Sequence, residues 1–248
     1  MRDGRMHVIV TAGPTREYLD PVRFLSNPST GKMGFAVAAE AARRGHDVTL
    51  VAGPVALKTP NRVHRVDVTS AREMLKAVKK SLFTSCHDDL PSEHRSIGAS
   101  DHRRNLTVFI STAAVADWRP AKCAAKKLKK REMTGVLRLV RNPDILKTLA
   151  RQFGGKNSIV RPSTFDLQPV RLVGFAAETD NVLKEAARKC REKGLSFIVA
   201  NDVSEKGCGF GTDTNRVTFV FPDGTQKRFP LMTKRRVASE IIRAAEAL

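Results

Sequence analysis

Aromatic residues are scarce in this 248-residue chain, which has one Trp and one Tyr beside 12 Phe. That is thin for a protein that would grip single-stranded nucleic acid by stacking bases on rings. Cysteine is sparse too. Cys86, Cys123, Cys190 and Cys208 are scattered and form no CxxC pair, which argues against a zinc ribbon or a disulfide framework and reads as free thiols. No apolar run approaches the about 18 residues that span a membrane. The opening residues run directly into a strand-like segment without the apolar core or cleavage site of a signal peptide. A cytoplasmic protein with no membrane partner is expected.

Acidic residues are also few, 25 Asp+Glu against 44 Lys+Arg, for a formal charge of +19. Such an excess attracts polyanions in general, whether nucleic acid, nucleotide or phosphorylated metabolite, so charge alone does not choose between them. The hydrophobic fraction of 41% is enough for the core of one sizeable domain, here residues 1–248.

What is present alternates between two periods. Residues 7–11 (HVIVT) read as a buried strand ended by Gly13-Pro14. A helix follows over 32–44, with Met33, Val37 and Ala41 on its apolar face and Gly45 at its end. Residues 47–52 form a second strand, and Ala71, Met74, Leu75, Val78 and Leu82 carry a helical stripe. Further strands are expected at 106–112, 170–175 and 197–200. Helices are expected after Asn142-Pro143-Asp144 and along Val182, Leu183, Ala186, Ala187 and Cys190. This is the alternation of an α/β fold with a mostly parallel sheet covered on both faces. The tail reads as a β-hairpin, 216–221 and 226–229 around Pro222-Asp223-Gly224, then a helix using Val237, Ile241 and Leu248. That hairpin is expected to extend beyond the core sheet and to serve dimerisation. Two aperiodic segments, 83–105 and 154–169, read as surface insertions.

Four clusters fall at the C-terminal ends of these strands, where open α/β sheets bind ligands. In the first, residues 11–34, glycines allow close backbone approach and a helix start offers a phosphate site. It is neither a dinucleotide fingerprint nor a Walker loop: the G-x-G-x-x-G spacing is missing, Ser26 stands five before Gly31, and Met33 replaces Ser/Thr. The second, 113–120, puts small residues and Asp117 directly after a strand. The third is Lys122 with the basic run 126–131, either a solvated face or a set of ammonium groups for departing pyrophosphate. The fourth is 142–145, where helix capping competes with a nucleotide contact. Glu178 follows a strand and is balanced between capping and ligand binding. His87, His94, His102 and Cys86 have irregular spacings, so no metal-ligand set is identified.

Read together, the segments resemble the phosphopantothenate–cysteine ligase family, phosphopantothenoylcysteine synthetase, in its bacterial CoaB-type form. The matching words, in family order, are TAGPTRE (11–17), DPVRFLSN (20–27), STGKMGFA (29–36), AAVADWRP (113–120), KLKK (127–130), NPDIL (142–146), GFAAET (174–179) and VANDVS (199–204). The resemblance implies a Rossmann-like three-layer sandwich, a homodimer, and activation of 4'-phosphopantothenate by a nucleoside triphosphate with Mg²⁺ before attack by L-cysteine. By the same resemblance Asn27 handles the acyl intermediate, Lys127 meets the nucleotide phosphates, and Arg23 serves the phosphopantothenate phosphate. Asp117 lies near the base, Gly13 and Gly31 form ligand-side turns, and Ala114 lines the substrate side. Lys130, Asn142, Asp144 and Phe175 fall in nucleotide-side words. The GKMG word at 31–34 favours CTP over ATP, and no FMN is expected. Trp118 stands where the family often has Tyr, and Leu128 where Ile is usual. The family offers no account of the 83–105 segment or of the high charge. The rival readings are an NAD(P)-dependent oxidoreductase, disfavoured by the missing fingerprint, and a basic nucleic-acid binder, resting on charge alone.

Overall fold

Strands that are apolar on both sides need cover on both faces, and the chain supplies it with helices from either side. The structure, a computed structural model, describes residues 5–84, 106–132, 135–153, 170–178, 181–202, 204–205, 207–209 and 211–248. The first half contains β1 (His7–Ala12), β2 (Arg16–Tyr18), β3 (Phe24–Ser26), α1 (Lys32–Arg43), β4 (Asp47–Ala52), β5 (Val63–Asp67) and α2 (Ala71–Thr84). Then come β6 (Thr107–Ser111), β7 (Trp118–Pro120), β8 (Leu139–Arg141), α3 (Ile145–Phe153), β9 (Val170–Glu178), α4 (Val182–Glu192) and β10 (Phe197–Asp202). The tail holds β11 (Thr214–Asn215), β12 (Val217–Val220), β13 (Gln226–Arg228), β14 (Met232–Thr233) and α5 (Lys234–Glu246).

Eight strands form one sheet in the order β13-β12-β10-β9-β6-β1-β4-β5. The six from β10 to β5 are parallel, and β12 and β13 run antiparallel at one edge. Alternation in β1 sends Val8, Val10 and Ala12 to one face and Ile9 to the other. Helices α1 and α5 cover the first face through Phe35, Val37, Ala38, Val237 and Ile241. Helices α2, α3 and α4 cover the second with Met74, Val78, Leu149, Ala186 and Cys190. The expected three-layer α/β sandwich is therefore the observed one.

Two expectations are adjusted. The C-terminal hairpin does not stand off the core sheet: β12 pairs with β10 and β13 forms the sheet's outer edge, because Phe219 and Val220 are buried against the two helix layers. Residues 83 and 84, assigned to an insertion, finish α2 instead, where the Phe83 ring meets Phe153 edge-on at 5.6 Å. The rest of that segment, with Cys86 and its neighbouring histidines, and all of 154–169 lie outside the described residues. Cys123, Cys190 and Cys208 are free thiols. No helix among the described residues is long and apolar enough to cross a membrane.

Candidate active site

Chain order places the crevice. After β1 the chain builds β4 and β5 to one side, then returns to build β6, β9 and β10 on the other. The connections leaving β1 and β6 therefore part at their C-terminal ends, the topological switch point where such sheets hold ligands. Backbone and hydroxyl bonds stitch the two connections together: Ala114 N–H donates to the Gly13 carbonyl (2.9 Å) and Ala116 N–H to Thr15 Oγ1 (3.0 Å).

Two glycines make that floor possible. Gly31 precedes α1 in a left-handed conformation (φ 77°), and a Cβ there would lie 3.4 Å from Gly13 N. Gly34, in the first turn of α1, sits so close to the sheet that a Cβ would come within 2.4 Å of Thr112 Oγ1 and 2.5 Å of Ala12 Cβ. The first turn of α1 has neither an acidic residue nor a side-chain cap, so its N–H groups present their positive end to the crevice.

A cavity of about 250 Å³ opens here. Of the residues singled out in the sequence, it gathers Asn27, Gly31, Ala114 and Phe175. The Asn27 amide donates to the carbonyls of Ala114 (3.3 Å) and Val115 (3.1 Å), so it spans the crevice from β3 to the connection after β6. Sequence reasoning gave no role to seven other polar lining residues: Ser29, Thr30 and Thr112 bring hydroxyls, and the remaining four are Lys32, Asn201, Asn215 and Lys234. Lys32 and Asn201 stand inside motif words and were readable there. Asn215 and Lys234 carry no local signal. They arrive because β11 pairs with β14, at the edge of the tail.

These four define the cavity's chemistry. Asn201 donates its amide N–H to the Cys208 carbonyl (3.0 Å). The side-chain oxygens of Asn201 and Asn215 are both buried without a hydrogen-bond partner among the described residues. Buried acceptors of that kind are costly unless a ligand donates to them. Lys234 reaches the Thr212 carbonyl at 2.5 Å, and Lys32 pairs with Asp213 at 2.7 Å. Burial, reinforced by the nearby Lys32 charge, pulls the Lys234 ammonium below the usual lysine range.

The lysine strip lies apart from this floor. Lys127 and Lys130 are exposed, in the long excursion between β7 and β8, and neither lines the cavity. Arg23 does not line it either. Its guanidinium is turned to Asp20, with Nε 3.0 Å and Nη2 2.5 Å from Oδ2, and to the Leu128 carbonyl at 2.9 Å. The Arg23 side chain and the backbone N–H groups around it hold the Asp20 carboxyl well below the usual carboxylate range, against the opposing effect of burial.

Asp117 is exposed at the lip of the crevice, and its carbonyl accepts from Asn142 N–H at 2.8 Å. The Asn142 side chain donates to the Ala116 carbonyl (2.8 Å) and accepts from Arg119 (3.2 Å). Asp144 takes the capping role: its Oδ1 accepts from Lys147 N–H (2.9 Å), and its Oδ2 pairs with Lys193 at 2.7 Å. Asn142 thus braces the connection after β6 and Asp144 caps α3 through bonds inside the protein, and neither lines the cavity. No group of three or more His, Cys, Asp or Glu side chains that could hold a metal ion occurs among the described residues.

The chain matches the family described as the DNA/pantothenate metabolism flavoprotein C-terminal domain over residues 4–87 and 97–248. It is 42% identical over 245 residues to the coenzyme A biosynthesis bifunctional protein CoaBC of Vibrio vulnificus, covering 97% of this chain and 52% of that protein. It is 43% identical over 232 residues to the CoaBC of Escherichia coli K12, covering 92% and 48%. The chain thus spans about half the length of the curated relatives it matches. Among solved structures, the C-terminal domain of a CoaBC superposes with a TM-score of 0.70 at 39% identity, covering 98% of this chain and 94% of that one. On sequence and fold together, the chain belongs to the family of DNA/pantothenate metabolism flavoprotein C-terminal domains.

Proposed function

We propose that this chain is a phosphopantothenate–cysteine ligase of coenzyme A biosynthesis, acting in the cytoplasm. A carboxylate is a poor electrophile. In the proposed first step a carboxylate oxygen of 4'-phosphopantothenate bonds to the α-phosphorus of a nucleoside triphosphate, and the bond from the α-phosphorus to the α,β-bridging oxygen breaks, that oxygen leaving on the β-phosphorus. Pyrophosphate leaves and an acyl-nucleotide remains. The cysteine nitrogen then bonds to the acyl carbon, a proton passes to solvent, and the nucleoside monophosphate departs.

The observation that carries this reading is the cavity that joins Asn27 to two unpartnered buried carbonyl oxygens and two ammonium groups. Phosphopantothenate has hydroxyl and amide N–H donors for Asn201 and Asn215, and its phosphate suits the first turn of α1 with Lys32 and Lys234. Gly13, Gly31 and Ala114 shape the substrate's bed, and Phe175 lines the same cavity on its nucleotide side. Asn27, placed between the two connections, orients the acyl group for attack. The nucleotide lies toward Asp117, Asn142 and Asp144. Lys127 and Lys130 stabilise charge as pyrophosphate leaves. The few carboxylates here fit Mg²⁺ that travels on the triphosphate, where it neutralises phosphate charge. CTP is favoured over ATP by the GKMG word at 31–34. A homodimer belongs to the same reading, with Phe24, Trp118 and Leu139 as exposed apolar contacts.

Pyrophosphate release measured with CTP and ATP in parallel, with and without cysteine, tests it. Release that requires phosphopantothenate is expected with CTP, and the ligated product only when cysteine is added. No release with either nucleotide overturns the proposal.

A further inference from the structure

Asp20 is completely buried at its side chain, yet it belongs to a surface turn between two short strands. Its partners explain why. Oδ1 accepts from the N–H groups of Val22 and Arg23, both at 2.9 Å, which closes the turn. Oδ2 accepts from the Arg23 side chain and from Leu128 N–H at 3.2 Å. Arg23 in turn donates to the Leu128 carbonyl, and Ala124 N–H donates to the Leu19 carbonyl at 2.8 Å. Three bonds thus tie residues 124–128 to a turn more than a hundred positions earlier in the chain. Both polar groups of the Leu128 backbone are engaged, one residue beyond Lys127. The turn continues through β3 to Asn27, whose amide is fixed across the crevice. One continuous strut therefore sets Lys127 relative to Asn27.

We infer that Asp20, through Arg23, is a positioning residue that braces the lysine strip against the cavity for nucleotide activation. The inference rests on the ligase reading. A single lysine ammonium on an exposed excursion samples many positions, and a cation aids a departing phosphate only where it is held near the developing charge. A carboxylate that accepts from both the strip and its own turn supplies that restraint. Asparagine keeps the size but turns one acceptor into a donor, facing N–H groups that need acceptance.

The test uses the full chain carrying Asp20→Asn or Arg23→Lys. Lysine keeps a charge beside Asp20 but loses the planar fork that spans Asp20 and Leu128. Trypsin cleavage at Lys126–Arg131, followed by mass spectrometry, is expected to accelerate about tenfold in both variants, since cleavage follows the population of the released strip. Nucleotide-dependent pyrophosphate release is expected to fall about a hundredfold in Asp20→Asn, while the calorimetric Kd for phosphopantothenate stays within about threefold of wild type. Wild-type cleavage in the variants, or faster cleavage with undiminished pyrophosphate release, overturns the inference. Should Asp20→Asn fail to fold, Arg23→Lys decides by the same two readouts. If the unmodified chain releases no pyrophosphate, the ligase reading fails, and the cleavage rates still decide whether the brace exists.

Discussion

The cavity floor and the lysine strip are built in opposite ways. The floor is part of the fold: Gly34 of α1 is pressed against Ala12 of β1 and Thr112; Thr15 and Gly13 are bonded to the connection after β6; and Asn201 lies near the end of β10, bonded to Cys208. The strip is exposed, and the described bonds join its Ala124 and Leu128 to the 19–23 turn. A substrate bed gains from rigidity because each buried acceptor must meet its donor without rearrangement. On the strip only the backbone is braced, and the exposed Lys127 side chain beyond it has room to meet a triphosphate. The same site thus separates holding from reaching, and substitutions on the two sides should fail differently.

The largest expected effect is on the reaching side. Lys127→Gln should lower pyrophosphate release about a thousandfold, as loss of one preorganised charge donor does, with no change in the urea midpoint. Near-normal release would remove Lys127 from the reaction. Asn27→Asp should leave the first step running and slow the second about a hundredfold, so rapid quench should trap acyl-nucleotide. A folded variant that turns over slowly with no trapped intermediate would break that assignment.

On the holding side the effect moves to stability. Gly34→Val forces atoms against Thr112 and Ala12, an overpacking that should cost about 1–3 kcal/mol in urea unfolding. An unchanged midpoint would mean that α1 can slide, and the floor would be less rigid than its contacts. The smallest effect concerns pH. Lys234 ionises below the ordinary lysine value of about 10.4, so it loses charge as pH rises through that lowered value. Phosphopantothenate binding should therefore weaken on the alkaline side before ordinary lysines titrate. Lys234→Gln should bind more weakly at neutral pH and lack that alkaline limb, and an identical profile in the variant would detach Lys234 from the phosphate.

The floor was largely legible in the sequence and the tail was not. Gly13 and Ala114 follow apolar strands and Gly31 opens α1, so strand ends and glycine placement mark them in the sequence as switch-point residues. Asn27 stands in the same run of words. Arg23 was legible as a residue of interest, but its direction was not. Nothing local says that Asp20 is buried beneath it or that Leu128 lies across from both. Asp144 followed the ordinary rule for a residue before a helix, and its capping bond competes with the ligand contact that its motif word implied.

The order of the helices and of the main sheet's strands other than β5, the faces that they bury and the glycine turns at the switch point follow from the sequence alone, because period, turn chemistry and chain connectivity are local properties written in neighbouring residues. Tertiary structure alone decided that Asn215 and Lys234 enter the cavity, that β12 and β13 continue the sheet, and that Asp20 holds the strip. Each of those depends on a hydrogen bond or packing contact between distant segments, whose free energy exists only once the fold has brought them together.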